Sequence, residues 1–247
     1  MKFAVLSDIH SNVFALEAVI ADAKKHCVDL TVNLGDILYG PIAPKATYDL
    51  LMQHDIVTIC GNQDRQIFEA TAEEVNSNPT MKFIIDNLGT EPIAWMKSLP
   101  FDIQLSDDVY LCHGTPDDDL IYLLENVELG YPRLRSDSEI IELLNGQKSK
   151  LICCGHTHTP RTVSLTTGQV IINPGSVGLQ AYTDDEPIVH SMESYNSMAS
   201  YSVVEKTAEN WNVEHIKVPY DVKLAVAECE KRGRMDWVHF ITTGRRR

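Results

Sequence analysis

The hydrophobic pattern of the chain begins with a short apolar run, Phe3 to Ser7, which predicts a buried strand. A stretch with helical apolar periodicity follows at 13–25 and predicts a helix, with Ser11 or Asn12 at its N-cap. Residues 29–33 predict a second strand. Strand, helix and strand within about 30 residues form a βαβ unit, so we expect these two strands to be parallel.

The same patterns continue along the rest of the chain. Further strands are predicted at 55–60, 101–105, 109–112, 150–154, 163–165, 170–172, 201–205 and 211–218. Further helices are predicted at 44–53, after Asp64, and at 80–88, 91–98, 136–145 and 222–231. We expect residues 71–80 to be irregular, residues 117–130 to be partly helical, and the polar residues 181–198 to form a mobile surface loop.

Polar side chains of the metal-binding type follow five of the predicted strands directly. They are Asp8 and His10, Asp36, Asn62, His113, and His156 with His158. In open α/β sheets, ligands bind beyond the carboxyl ends of the strands. Because Asp8 and His10 are two residues apart, an extended chain would point their side chains the same way. We therefore expect all of these side chains to converge on one crevice.

The chemistry of this set indicates two metal ions. Its donors are oxygen and imidazole nitrogen, without a thiolate, which suits Mn, Fe, Co, Ni or Zn. Seven ligands are too many for one tetrahedral zinc but fit two metals that share a bridge. Asp36 stands alone in its segment and is the candidate for the bridging carboxylate.

Composition and charge argue against several classes of function. The 247 residues fit one large domain, and the net charge of −14 argues against a non-specific nucleic-acid binder. A small phosphorylated substrate remains compatible, because two divalent cations create their own positive field. No apolar run approaches the ~20 residues of a membrane span. The six cysteines lack disulfide-framework spacing, so we expect a reduced, cytoplasmic protein, which is either a monomer or a homo-oligomer.

The motifs resemble those of a known family. Asp8-x-His10, Gly35-Asp36, Gly61-Asn62-x-Asp64, His113-Gly114 and Gly155-His156-x-His158 are similar, in content and order, to the motifs of the calcineurin-like metallophosphoesterase superfamily. They cover about residues 1–160. The segment 173–178 (Asn-Pro-Gly-Ser-Val-Gly) and the closing strands and helix in 199–240 further resemble the bacterial branch of YfcE-type phosphodiesterases and diadenosine-tetraphosphatase-like proteins.

The resemblance implies a fold and an activity. The fold is α/β (α+β), a four-layer α-β-β-α sandwich of two mixed β-sheets flanked by helices, in a single domain over residues 1–247. The activity is that of a dimetal phosphoesterase, which hydrolyses phosphodiester or nucleoside polyphosphate bonds by a metal-bridging hydroxide. Manganese is the first choice of metal. The implied roles are a first metal on Asp8, His10 and His158, a second on Asn62, His113 and His156, and a bridge by Asp36.

Gln63 departs from the family pattern. The family motif often has a histidine there, which protonates the leaving oxygen and is oriented by the acid that follows. A glutamine amide does not titrate near neutral pH, so it cannot protonate the leaving oxygen. The absence of the histidine slows the reaction most for substrates with basic leaving groups. The departure therefore favours phosphodiesters with good leaving groups, or nucleoside polyphosphates. We expect Gln63 to donate a hydrogen bond to a phosphate oxygen, and Asp64 either to cap the following helix or to act in catalysis.

Two alternatives stay open at this point. One is a protein or small-molecule phosphomonoesterase, and the other is a non-catalytic metal-binding scaffold of the same fold. Arg65 and Arg161 follow metal motifs directly and are either substrate contacts or ordinary surface residues. His190 is a further candidate for the missing acid.

Overall fold

The structure of the protein, a computed structural model, describes residues 1–208 and 210–246. The strands are β1 (Lys2–Leu6), β2 (Leu30–Asn33), β3 (Ile56–Thr58), β4 (Ile103–Ser106), β5 (Val109–Leu111), β6 (Glu125–Asn126), β7 (Arg133–Leu134), β8 (Leu151–Cys153), β9 (Arg161–Ser164), β10 (Val170–Asn173), β11 (Ala181–Asp184), β12 (His190–Glu193), β13 (Ala199–Lys206) and β14 (Trp211–Val218). The helices are α1 (Val13–Ala23), α2 (Pro44–Leu51), α3 (Asn62–Glu69), α4 (Ala72–Ser77), α5 (Pro79–Leu88), α6 (Thr90–Ser98), α7 (Asp137–Leu143), α8 (Val222–Lys231) and α9 (Met235–Thr243).

The first sheet contains the N-terminal strand at its centre. Its order is β14-β13-β1-β2-β3. β1, β2 and β3 are parallel, as the predicted βαβ unit requires, whereas β13 runs antiparallel to β1 and to β14. The carboxyl ends of three strands therefore meet at one edge of this sheet.

The second sheet also has three parallel strands, but they lie between two antiparallel edge strands. Its order is β4-β5-β8-β10-β9, with β5, β8 and β10 parallel and the two outer strands antiparallel to their neighbours. The predicted hairpins β4-β5 and β9-β10 are confirmed. Their residues alternate between the two faces of the sheet, as strand periodicity requires.

Apolar side chains hold the two sheets face to face. Phe3 and Val5 of the first sheet pack with Leu111 and Cys153 of the second in one buried cluster. On the outer face of the first sheet, α1, α2 and α5 bury a second cluster, and on the outer face of the second sheet α7 buries a third. This is the four-layer α-β-β-α sandwich, so the predicted fold class is confirmed.

Three local predictions were wrong. Residues 71–80 contain α4, which begins at a capping box formed by Thr71 and Glu74. Residues 117–130, all of them described, contain β6 and turns but no helix, because Thr115 and Asp118 close a turn there. Residues 181–198 contain a hairpin of β11 and β12, whose inward side chains, including His190 and Met192, are buried.

Two further points concern the whole chain. The single domain over 1–247 stays a prediction, and Glu209 and Arg247 lie outside the described residues. Among the described residues, no helix combines the length and the apolar character needed to cross a bilayer.

Candidate metal centre

The predicted ligands lie at the carboxyl ends of five strands, on both sheets. Asp8 and His10 follow β1, and Asp36 follows β2. Asn62 opens α3 after β3, His113 follows β5, and His156 and His158 follow β8. Because the sheets face each other, their polar ends meet in one buried place. All seven side chains are buried there.

The structure brings these residues together as two groups. Asp8, His10 and His158 form one group, and Asp36, His113 and His156 form the other, with the donor atoms in each group within 4.8 Å of one another. Asn62 joins the second group, since its Oδ1 lies 3.0 Å from His113 Nε2. Asp36 lies between the groups, with Oδ2 3.5 Å from His113 Nε2 and 4.0 Å from His10 Nε2.

Backbone carbonyls determine which imidazole nitrogen faces the centre. A carbonyl oxygen only accepts hydrogen bonds, so an imidazole nitrogen beside it must carry the proton. Three histidines donate from Nδ1, at 3.2, 2.7 and 2.7 Å respectively: His10 to Tyr39, His113 to Leu34 and His158 to Leu179. His156 has the opposite tautomer, because its Nε2 lies 3.1 Å from the carbonyl of Leu120. Each ring therefore turns its other nitrogen towards the centre.

This arrangement fits cations. His10 Nε2 and His158 Nε2 lie 3.0 Å apart, although both are acceptors in these tautomers. Asp8 Oδ1 is buried beside them without a hydrogen-bond partner among the described residues. Acceptor atoms that face one another in a buried place are stable when a positive ion lies between them. The oxygen and imidazole donors are those that first-row divalent ions prefer.

Burial and charge shift the pKa values of these groups in different directions. Burial lowers the pKa of His10 and of His156 to about 4, so both rings are neutral at pH 7 and offer their lone pairs. His113 differs, because the negative charge of Asp36 outweighs burial and raises its pKa to about 10. The same contact holds the pKa of the Asp36 carboxyl well below its usual range, despite the opposing effect of burial.

The backbone at the centre is left-handed at many of these residues. Asp8, His10, Asp36, His156 and His158 have φ angles of 55°, 48°, 55°, 70° and 56°. The prediction that Asp8 and His10 lie in extended chain was therefore wrong, although both point into the same group. Such non-glycine conformations cost about 1–3 kcal/mol each and are typical of functional sites.

Hydrogen bonds between neighbouring loops stabilise this backbone. The amides of Asp8 and His10 donate to the carbonyls of Gly35 and Asp36, each at 3.0 Å. Gly35 has φ 98°, and a Cβ there would overlap the backbone of Gly61. The close approach of these loops therefore stabilises the left-handed backbone at the ligand residues.

Comparison with known proteins identifies the family. The model of the calcineurin-like phosphoesterase superfamily domain matches residues 1–194. The chain belongs to this superfamily. A crystal structure of a metallophosphoesterase from Sphaerobacter thermophilus has the same fold, with a TM-score of 0.75 and 23% identity over 99% of this chain and 100% of that one.

Two further proteins are similar to this chain. The uncharacterized protein MJ0912 of Methanocaldococcus jannaschii is 26% identical, over 95% of this chain and 94% of that protein. The structure of YfcE, a phosphoesterase from E. coli, is 18% identical over 89% of this chain and 100% of that one, with a TM-score of 0.46.

In this superfamily member, Gln63 contacts the centre through its backbone. Its amide donates to Asp36 Oδ1 at 2.8 Å and orients that carboxylate. Its side chain lines the cleft above the centre, where Oε1 is buried and has no hydrogen-bond partner among the described residues. The side chain is placed to meet a substrate, but it offers no titratable proton.

Asp64 lies beneath the centre. The sequence left open whether Asp64 caps the helix or acts in catalysis. The helix α3 begins earlier, at Asn62, with Gly61 as its N-cap, so Asp64 is not the N-cap residue itself but supplies the carboxylate of a capping box as the third residue of α3. Oδ2 of Asp64 accepts from the Gly61 amide at 3.0 Å, and Oδ1 accepts from the amides of Ile37 and Leu38. Burial, with the charge of Asp36, raises the pKa of Asp64 to about 7. Asp64 therefore ties the loop after β2 to the start of α3.

Three aromatic rings that the sequence analysis missed pack against the ligands. Their centroid distances are 4.6 Å for Tyr122 on His156, 4.6 Å for Tyr182 on His158, and 5.9 Å for Trp237 on His10. Tyr182 belongs to β11 and Trp237 to α9. The helical spacing of Trp237, Phe240 and Ile241 would have predicted α9, whereas nothing local connects Tyr122 to the centre.

A cleft of about 900 Å³ opens over the centre. His10, Asp36, Asn62, His156 and His158 line it, together with aromatic residues and Arg135. Such a volume suits a small organic ligand.

The other charged candidates are engaged elsewhere. Arg65 forms an ion pair with Asp119 at 2.7 Å, and Arg161 forms one with Glu125 at 2.9 Å. Neither arginine lines the cleft. His190 is buried behind it, where its Nε2 accepts from the Tyr122 hydroxyl at 2.9 Å.

Proposed function

We propose that this superfamily member is a hydrolase that uses two transition-metal ions to cleave phosphodiester or nucleoside polyphosphate bonds of a small phosphorylated substrate. The observation that carries the proposal is the pair of buried ligand groups with Asp36 between them. Lone pairs that face one another, as at His10 and His158, need cations between them. The cleft gives a substrate access to that place.

The distances support one assignment of ligands. Asp8, His10 and His158 would hold the first ion, and Asn62, His113 and His156 the second. Asp36 would bridge them, since it lies within 4.0 Å of a histidine from each group. Manganese suits this oxygen and imidazole set, and Fe, Zn, Co and Ni are alternatives.

The chain's own residues determine what the centre does with a substrate. Two ions bound there would supply Lewis acidity and lower the pKa of water. Gln63 fixes the orientation of the Asp36 carboxylate through its backbone amide, and its side chain reaches the cleft. Because no histidine stands at position 63, a leaving group that needs little protonation is favoured. Nitrophenolates and phosphates are such groups.

The test compares the rate on bis(p-nitrophenyl) phosphate with the rate on p-nitrophenyl phosphate, both with added Mn²⁺. We expect faster hydrolysis of the diester, and a loss of at least about a hundredfold in Asp36→Asn, because that change removes the bridge charge. Elemental analysis should find two metal ions in each wild-type chain. A folded protein that prefers the monoester would support the phosphomonoesterase alternative. Metal binding without hydrolysis of either ester would support the scaffold.

A further inference from the structure

Arg135 differs from the other arginines near the cleft. In the part of the chain that the structure describes, five arginines form an ion pair with an aspartate or glutamate: Arg65, Arg133, Arg161, Arg232 and Arg234. Arg135 is half-buried and lines the cleft, yet it forms no ion pair with any residue in 1–208 or 210–246. A partly buried guanidinium without an anion is costly unless a ligand supplies one.

The carboxylates around Arg135 are already engaged or lie apart. Glu139 binds Arg133 at 2.9 Å, and Glu125 binds Arg161 at 2.9 Å. Glu128 is exposed on the rim of the cleft and makes no ion pair with Arg135. Burial lowers the pKa of Arg135, but a guanidinium stays charged at any ordinary pH. Its positive charge therefore faces the cleft.

The position of Arg135 is fixed relative to the metal centre. Its Nε donates to the carbonyl of Tyr122 at 3.0 Å, and its backbone amide donates to the carbonyl of Leu124 at 2.8 Å. The ring of Tyr122 packs on His156, a member of the second ligand group. Only one residue thus separates Arg135 from that group. Its two Nη atoms form no hydrogen bond with the residues that the structure describes.

We infer that Arg135 binds the second phosphoryl group of a nucleoside polyphosphate, the group that departs when the neighbouring phosphorus is attacked at the metal centre. This inference rests on the proposed function. Guanidinium matches phosphate oxygens with two parallel hydrogen bonds, and a simple diester has no second phosphoryl group to accept them. Trp237, which packs on His10 of the first group, is largely buried in the wall of the same cleft.

This role of Arg135 explains why the site can have Gln63 in place of a histidine. Water adds to phosphorus and loses a proton to solvent, and the bond from phosphorus to the bridging oxygen breaks. That oxygen keeps the electron pair and leaves as part of a phosphate. Such a leaving group needs no proton, so the missing histidine costs little, whereas its growing negative charge needs a cation. Arg135 supplies that charge.

The experiment compares ADP with bis(p-nitrophenyl) phosphate in the manganese-loaded wild type, Arg135→Ala and Arg135→Lys, with Arg133→Ala as the matched control. Arg133 is the exposed neighbour that pairs with Glu139. We expect Arg135→Ala to lower kcat/KM for ADP at least about tenfold, the effect of one charged hydrogen bond, while the rate on the diester stays within about twofold. Arg135→Lys should recover part of the loss. Calorimetry with a methylene-bridged ADP analogue should show affinities in the same order, with the wild type binding most tightly, Arg135→Lys less tightly and Arg135→Ala least.

Two results would overturn the assignment. One is an equal fall on both substrates, which would mean that Arg135 only supports Tyr122. The other is a wild type that cleaves the diester but neither cleaves ADP nor binds the analogue, and this result would leave the proposed function standing. If neither substrate were cleaved, the proposed function would fall, and the calorimetric comparison would decide the role of Arg135 by itself.

Discussion

His10 Nε2 and His158 Nε2 lie 3.0 Å apart, and each ring donates its Nδ1–H to a carbonyl behind it. The two lone pairs repel each other in the absence of a cation. Metal binding should therefore stabilise the folded chain and relieve this repulsion.

The first prediction concerns this pair. Mn²⁺ at about a hundred times its Kd should stabilise the wild type by about 2.7 kcal/mol, or roughly 5–10 °C in Tm. His158→Asn should lose most of that shift, while the same change at His54, outside the centre, should keep it. Thermal unfolding with EDTA and with Mn²⁺ measures both. An equal shift in His158→Asn would show that the ion binds elsewhere.

The second prediction concerns the hairpin of β11 and β12. The Tyr182 hydroxyl lies 3.0 Å from the carbonyl of His156 and 2.9 Å from the Tyr122 hydroxyl. Tyr182→Phe keeps the ring on His158 but removes this tie to the ligand loop, so metal affinity should fall about tenfold. Metal titration measures the change. The control is Tyr195→Phe, an exposed tyrosine after β12 that contacts Glu193, and it should bind metal like the wild type.

The sequence predicted that these side chains meet because motif and strand end coincide at each position. Asp36 and His113 follow strands whose apolar runs are easily recognised, and the order of the parallel strands then determines where they meet. Periodicity could not predict left-handed backbone at Asp8 or His156, because that conformation is imposed by neighbouring loops.

Long-range partners explain the remaining errors. Residues 181–198 look polar and loop-like, but His190 and Met192 are buried by contacts with Tyr122 and its neighbours, over sixty residues away in sequence. Arg135 was likewise missed, whereas Arg65 and Arg161 were singled out for their position beside metal motifs. Arg65 and Arg161 form ion pairs because Asp119 and Glu125 lie beside them in the folded chain. The local sequence does not contain that information.

The third prediction concerns the missing acid. Gln63→His should raise the rate on diphenyl phosphate, which has a basic leaving group, more than the rate on bis(p-nitrophenyl) phosphate. The gain should be only about tenfold, below the full range for general acid catalysis, because the Asp64 oxygens already accept three backbone amides and cannot orient the new ring. The ratio of the two kcat/KM values is the measurement.

Gln66→His provides the matched control for that experiment. Gln66 lines the same cleft one turn further along α3, so the control adds an imidazole without placing it over the centre. An equal gain from both variants would mean that any nearby imidazole suffices. No gain from Gln63→His would mean that leaving-group protonation does not limit this centre.

The fourth prediction concerns the ion pair between the buried Glu125 and the partly exposed Arg161, which lies outside the cleft. Burial raises the pKa of the Glu125 carboxyl, and Arg161 offsets only part of this effect. The folded pKa therefore lies above the ordinary value of 4.5, and the stability that the protonated carboxyl provides is lost as the pH rises through the folded pKa. Removing Arg161 should raise that pKa further.

Arg161→Met should consequently destabilise the chain by about 2 kcal/mol at pH 8, where Glu125 is charged and has lost its partner. The deficit relative to the wild type should shrink at pH 5, because the carboxyl then takes up a proton. Urea unfolding at the two pH values measures it. Adding Glu125→Gln to the variant should recover most of the loss at pH 8, since no buried charge is left unpaired. A deficit that is the same at both pH values would mean that Arg161 stabilises the fold by packing rather than by its charge.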